Sequence, residues 1–306
     1  MRGTFIKTLI DLASNDPRIM LLTGDLGYMA VEPFRDKFPH RFVNVGVAEQ
    51  NLVGIATGLA ESGFIPFVYS IGTFASLRPY EFIRNGPILH ELPVRIVGVG
   101  GGFEYGLNGI THYALEDIGI MRVQPEIVVI APADFEQTRN ALLATWDLPG
   151  PIYYRIGKDD RSIVRGLDGR FDLGKPQHIR SGADALILTT GSISLEVVKA
   201  ADLLEEDGIS NEVVVVASFN PPPVNCLSSV LMEFPIAFTV EAHYISGGLG
   251  SLISEIIAEN NINCQLVRCA VTSIPRGISG SQEFMNESYK ISGAEIARRI
   301  VKELKS

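Results

Sequence analysis

The sequence predicts an α/β fold made of two doubly wound, mostly parallel sheets. Two observations carry this. Short, continuously apolar runs alternate with segments of helical length and period, the pattern of strands buried on both faces between helices. The alternation then breaks once, between about residues 159 and 182, where Gly, Asp, Arg and Pro dominate, and it resumes afterwards. The expected division is a first domain over 1–160, a linker over 161–182 and a second domain over 183–306.

In the first domain the apolar runs place strands at 19–22, 67–69, 94–99, 127–130 and 152–155. Helical patterns at 79–89 and 135–145 fall between them. In the second, strands are expected at 185–190 and 212–217, with a strand end at 238–241. Helices are expected at 195–206, 252–259 and 293–304, the last with a clean amphipathic stripe. Pro221, Pro222 and Pro223 mark a sharp loop.

Composition narrows the function classes. The chain has 306 residues and is 46% hydrophobic, so it can bury a large core. No apolar run reaches the roughly 20 residues of a membrane span. The N-terminal residues continue straight into an amphipathic pattern, so no signal peptide is expected and a cytoplasmic location is. A formal net charge of -9 argues against nucleic acid as a partner. Cys226, Cys264 and Cys269 are scattered and odd in number, as reduced buried thiols would be.

Two glycine-rich stretches invite a dinucleotide reading and fail it. Gly98-Val99-Gly100-Gly101-Gly102 follows a strand, but no helix opens behind it, and phosphate cradling needs that helix N-terminus. Gly247-Gly248-Leu249-Gly250 does precede a helix and reads as a packing turn. Gly24-Asp25-Leu26-Gly27 reads as a strand-end loop, at the sheet edge where open α/β folds place ligands.

The most informative stretch is Phe42-Val43-Asn44-Val45-Gly46-Val47-Ala48-Glu49-Gln50-Asn51. A short strand runs into a helix over 52–60 that is apolar or small on most faces, hence buried. Glu49 stands at its start. Taken alone, it is a helix N-terminal acid favoured by the dipole, or an acid with a task.

Taken together, these residues resemble a known family. Val45-Gly46-Val47-Ala48-Glu49-Gln50, Thr73-Phe74, Gly109-Ile110-Thr111-His112, Leu115-Glu116-Asp117-Ile118 and Ile130-Ala131-Pro132-Ala133-Asp134 occur in an order and spacing similar to the pyrimidine-binding domain of transketolase and 1-deoxyxylulose-5-phosphate synthase. Thr190-Gly191-Ser192, Asp207-Gly208-Ile209 and Val240-Glu241-Ala242-His243 before the glycine turn resemble the transketolase C-terminal domain. The Gly-Asp-Gly motif that holds the magnesium diphosphate in this family is absent.

The resemblance implies a C-terminal subunit of a split, thiamine diphosphate-dependent transketolase, moving a two-carbon ketol unit between phosphorylated sugars. An N-terminal subunit would hold the diphosphate and Mg2+, in an α2β2 heterotetramer. It implies that Glu49 hydrogen-bonds the aminopyrimidine of the cofactor and that Phe74 stacks on it, with Tyr80 and Asp25 as further cofactor contacts. His112 would face the donor sugar, and Asn108, Arg155 and Lys158 would bind substrate. Asn108 departs from the usual Asp and carries no charge, which puts the usual donor sugar in question. Other enzyme readings are the beta subunit of a 2-oxo-acid dehydrogenase and a deoxyxylulose-phosphate-synthase-like enzyme. A non-enzymatic reading is an inactive scaffold for the partner half.

Overall fold

The computed structural model describes residues 1–305. The first unit runs α1 (Arg2–Asn15), β1 (Ile19–Thr23), α2 (Glu32–Lys37), β2 (Phe42–Asn44), α3 (Glu49–Glu61), β3 (Ile65–Ile71), α4 (Gly72–Leu77), α5 (Tyr80–Ile83), β4 (Arg95–Val99), α6 (Asp117–Arg122), β5 (Val128–Ile130), α7 (Phe135–Thr145) and β6 (Ile152–Ile156). The second runs β7 (Gln177–Arg180), β8 (Ala185–Thr189), α8 (Ser194–Glu206), β9 (Asn211–Val215), β10 (Ser218–Asn220), α9 (Val224–Met232), β11 (Ile236–Tyr244), α10 (Leu249–Glu259), β12 (Gln265–Val271), α11 (Gln282–Ser288) and α12 (Gly293–Leu304).

Two sheets result, in the orders β10-β5-β6-β4-β3-β1-β2 and β12-β11-β8-β9-β7. Every residue of β1, β4, β6, β8 and β9 is buried, because helices cover both faces. Among the strand pairings of the described residues only two are antiparallel, β10 with β5 and β7 with β9. Both exceptions involve short strands that the apolar pattern does not reveal. β10 lies in the second half of the sequence yet completes the first sheet, pairing Ser218 with Ile130. β7 lies within the expected linker. That segment is also packed: Val164 and Leu167 are fully buried against Ala133 and Val215. The Asp134 carboxylate caps α7 through the Gln137 N–H and also accepts from the Val164 N–H.

Two local expectations need correction. The helix expected over 79–89 is broken into α5 and a π-turn at 84–88 that contains Pro87, a residue without an N–H to continue the ladder. Beside it Gly86 presses on α3, where a Cβ would stand 2.7 Å from Thr57 Oγ1. α3 itself is not buried all round. Leu52, Val53, Ala56 and Ala60 face the core, while Asn51, Gly54 and Gly58 lie open. The strand β12 goes unpredicted because Gln265 and Arg268 interrupt its apolar run, as an edge strand permits.

The parallel register of β1, β2, β3, β4 and β6 brings their carboxyl ends to one edge of the sheet. The segments that leave this edge carry Asp25, Glu49, Phe74, His112 and Lys158.

Candidate functional site

Glu49 occupies the first turn of α3 and is 3% exposed. Its Oε2 accepts a hydrogen bond from Arg78 Nη1 at 2.8 Å. Its Oε1 is buried with no partner among the described residues. A buried carboxylate oxygen left unpaired costs about 1–3 kcal/mol, so it marks a place where a donor belongs. Gly24 faces the same oxygen: a Cβ there would stand 3.7 Å from it and 3.1 Å from the Gly46 carbonyl.

Arg78 links this acid to the other expected residues. Its guanidinium carbon lies 3.8 Å from the centre of the Phe74 ring, one helical turn earlier. Phe74 in turn meets His112 edge-on, with centroids 5.1 Å apart. His112 Nδ1 and Thr111 Oγ1 are 3.0 Å apart. Glu49, Arg78, Phe74 and His112 are thus contiguous, although they come from the separate segments that follow β2, β3 and β4. Arg78 is the member that sequence reasoning missed. Its only signal was its spacing, four positions after Phe74 at the end of a helix.

Asp25 sits on the rim, exposed and at φ 58°. Its N–H donates to Asn44 Oδ1 at 2.9 Å, and its own Oδ1 accepts from Asn44 Nδ2 at 3.2 Å. Asn108 is exposed at the end of a 3-10 turn, before Gly109 at φ 81°. Lys158 is half-buried, its Nζ donating to the Glu104 carbonyl at 3.1 Å and lying 4.2 Å from the Tyr105 ring centre. Burial lowers its pKa.

Two expected ligands have their polar groups bonded within the chain. Arg155 is 4% exposed rather than open to a substrate phosphate. Its Nε donates to Asp117 Oδ2 at 2.9 Å, and its Nη2 donates to the Ala114 and Ala242 carbonyls at 2.8 Å. It joins the two halves of the chain. Gly101 makes room for it, since a Cβ there would meet the guanidinium at 2.6 Å. This accounts for part of the glycine run after β4. Tyr80 likewise spends its hydroxyl on packing, donating to the Ile120 carbonyl and accepting from Gln124 Nε2, both at 2.8 Å.

The second glycine turn also has a structural task. The N–H groups of Leu249 and Gly250, at the start of α10, donate to the Glu241 carboxylate at 2.7 and 2.8 Å. His243, 1% exposed, accepts from the Gly119 N–H through Nε2 and donates through Nδ1 to the Tyr244 carbonyl. Among the described residues no three His, Cys, Asp or Glu side chains converge as metal ligands do, and no helix is long and apolar enough to cross a membrane.

Fold and site together define a two-sheet α/β protein with a carboxylate, an aromatic ring and an imidazole at one sheet edge. Residues 1–161 match the transketolase pyrimidine-binding domain, and residues 174–296 match the transketolase C-terminal domain. A protein of Methanocaldococcus jannaschii that bears the provisional name transketolase C-terminal section is 37% identical, over 100% of this chain and 96% of its own length. An apulose-4-phosphate transketolase subunit from Phocaeicola vulgatus is 32% identical, over 91% of this chain and 90% of its own. Among solved structures, a split-gene transketolase described as an inactive beta4 tetramer superposes with a TM-score of 0.89 at 32% identity, covering 99% of this chain and 98% of the other. The chain belongs to the transketolase family, as a split C-terminal subunit.

Proposed function

We propose that this chain is the pyrimidine-binding half of a two-subunit transketolase. It works with an N-terminal subunit that holds the diphosphate and magnesium, and it moves a two-carbon ketol unit between phosphorylated sugars. The observation that carries this reading is the unpartnered Oε1 of Glu49, buried beside the Phe74–His112 pair. A protonated ring nitrogen would satisfy that oxygen, so the residues present fit the pyrimidine end of thiamine diphosphate. When bound, the cofactor supplies the carbon nucleophile and electron sink that the side chains lack.

The chain's own residues divide the remaining work. Glu49 holds a hydrogen bond to the pyrimidine and orients the ring. Arg78 fixes the carboxylate so that only one oxygen is free. Phe74 offers an apolar ring face. His112 reaches the substrate side, where an imidazole can move a proton to or from a sugar hydroxyl. Asn108 and Lys158 stand on the same rim, with an amide for hydroxyl recognition and a cation for phosphate.

The family's Gly-Asp-Gly motif does not occur in this sequence, which supports a partner that holds the magnesium diphosphate. Exposed apolar side chains around the site support a partner at this edge: Tyr28 is 82% exposed, Leu107 80% and Val47 71%. The open side of α3, with Gly54 and Gly58, is the expected contact with a second copy in an α2β2 assembly. Asn108 and the similarity to an apulose-4-phosphate enzyme favour an uncommon sugar phosphate as substrate.

Reconstitution tests the reading. The chain alone is expected to show no ketol transfer and no tight binding of thiamine diphosphate with magnesium. Mixing with an N-terminal subunit should restore turnover. Tight cofactor binding by the isolated chain at the Glu49 site would refute the split arrangement.

A further inference from the structure

The second sheet ends at β12, whose outer edge has no neighbouring strand among the described residues. Beside that edge lies a cavity of about 420 Å³. Five basic side chains line it, Arg268, Lys290, Arg298, Arg299 and Lys302, with Glu295 as the one carboxylate in its lining. They come from β12, from the turn after α11 and from α12. The chain as a whole carries a net charge of -9, so the sign of charge is inverted here. Arg298 and Arg299 are paired along α12 with Glu295 and Glu303. Lys290 and Lys302 have no ion-pair partner among the described residues. Burial raises the Cys269 thiol in the cavity wall to about 11, so it stays neutral and offsets none of this charge.

Cations gathered in one hollow repel each other and focus a positive potential that an anion relieves. The volume exceeds what a single phosphate needs and falls in the range of small-molecule pockets. Arginine forks and lysine point charges are the two side-chain groups that hold phosphate oxygens. One wall is also held in place: the Tyr289 ring lies 5.1 Å from Phe103, which packs edge-on against Tyr113. A wall held before binding lowers the cost of ordering. Lys290 sits at φ 59°, in a helix-ending position that glycine would fill with less strain.

We propose that this cavity is a second anion site, which takes a phosphorylated metabolite and shares no residue with the Glu49 cluster. The test is calorimetric titration of the full chain, without magnesium, using inorganic pyrophosphate and fructose 6-phosphate as probes. At least one probe should bind at a single site with Kd below about 1 mM. The double variant Lys290→Glu/Lys302→Glu should weaken that binding at least about tenfold, while Lys7→Glu, on α1, leaves it unchanged. Tighter pyrophosphate would assign the site to polyphosphates, and tighter fructose 6-phosphate to sugar phosphates. No saturable heat from either probe up to about 10 mM would overturn the proposal. So would binding that survives in the double variant. A change of oligomeric state in the double variant, with anion affinity intact, would identify the face as a contact between chains and overturn it too.

Discussion

Arg78 Nη1 grips Oε2 of Glu49 at 2.8 Å and leaves Oε1 of the same carboxylate buried and unpartnered among the described residues. A carboxylate held at one oxygen cannot swing freely, so the other stays aimed at one point. Glu49→Gln keeps the shape but replaces the acid with an amide. Turnover of the reconstituted enzyme should fall by about 100-fold or more, with the circular dichroism of the chain unchanged. Steady-state kinetics at saturating cofactor checks this, and unchanged turnover would refute the assignment.

Arg78 is expected to serve both stability and positioning. Arg78→Leu takes the ion-pair partner away from the buried Glu49 carboxylate and should cost about 1–3 kcal/mol. Arg78→Lys restores the charge but not the planar contact with Phe74, so it should recover stability more than turnover. Denaturant midpoints and kcat measured on both variants separate these effects.

His112 and Phe74 meet edge-on, so removing the imidazole should spare the fold. His112→Ala is expected to lower kcat by about 100-fold with little change in Tm. Equal kcat for His112→Ala and the unaltered chain would remove His112 from the proton-transfer path.

Arg155 predicts a different outcome. Its buried pair with Asp117 joins the two halves, and breaking such a pair from one side costs about 3–5 kcal/mol. Arg155→Met should therefore lower the unfolding midpoint strongly, and any chain that stays folded should keep its KM for the phosphosugar. A raised KM at unchanged stability would return Arg155 to the substrate site.

Asp202 sets an acid limb on stability. The hydrogen bond from Arg165, with help from Arg180, holds its carboxyl below the ordinary range. A lowered folded-state pKa stabilises the fold above the unfolded value, and the gain is lost as pH falls through the folded one. Asp202→Asn should therefore flatten the decline of Tm below about pH 4. Melting curves across that range, with and without the substitution, test it.

The residues differ in how far sequence revealed them. Glu49, Phe74 and His112 were named from sequence through the motifs that carry the family resemblance, and the structure brings them to one sheet edge. Arg78 was not named, since nothing nearby in sequence points to Glu49, which lies 29 positions away. How Arg155 and Tyr80 bond within the chain was not legible for the same reason. Their partners Asp117, Ala242 and Gln124 come from other elements, and only packing decides whether a polar side chain meets solvent or a buried carbonyl. β10 escaped notice because a three-residue strand has no period, and its pairing with β5 is a long-range contact.

Sequence by itself determined the two-sheet α/β class and most of the strands buried on both faces, and its motifs named Glu49, Phe74 and His112 as candidates. Apolar periodicity and turn chemistry are local, and a single chain displays them. The tertiary structure decided which oxygen of Glu49 is free, which arginine holds the other, and which arginine is sealed between the two halves. Those outcomes depend on contacts between distant segments, where burial turns one unpaired oxygen or one guanidinium into a feature worth kilocalories.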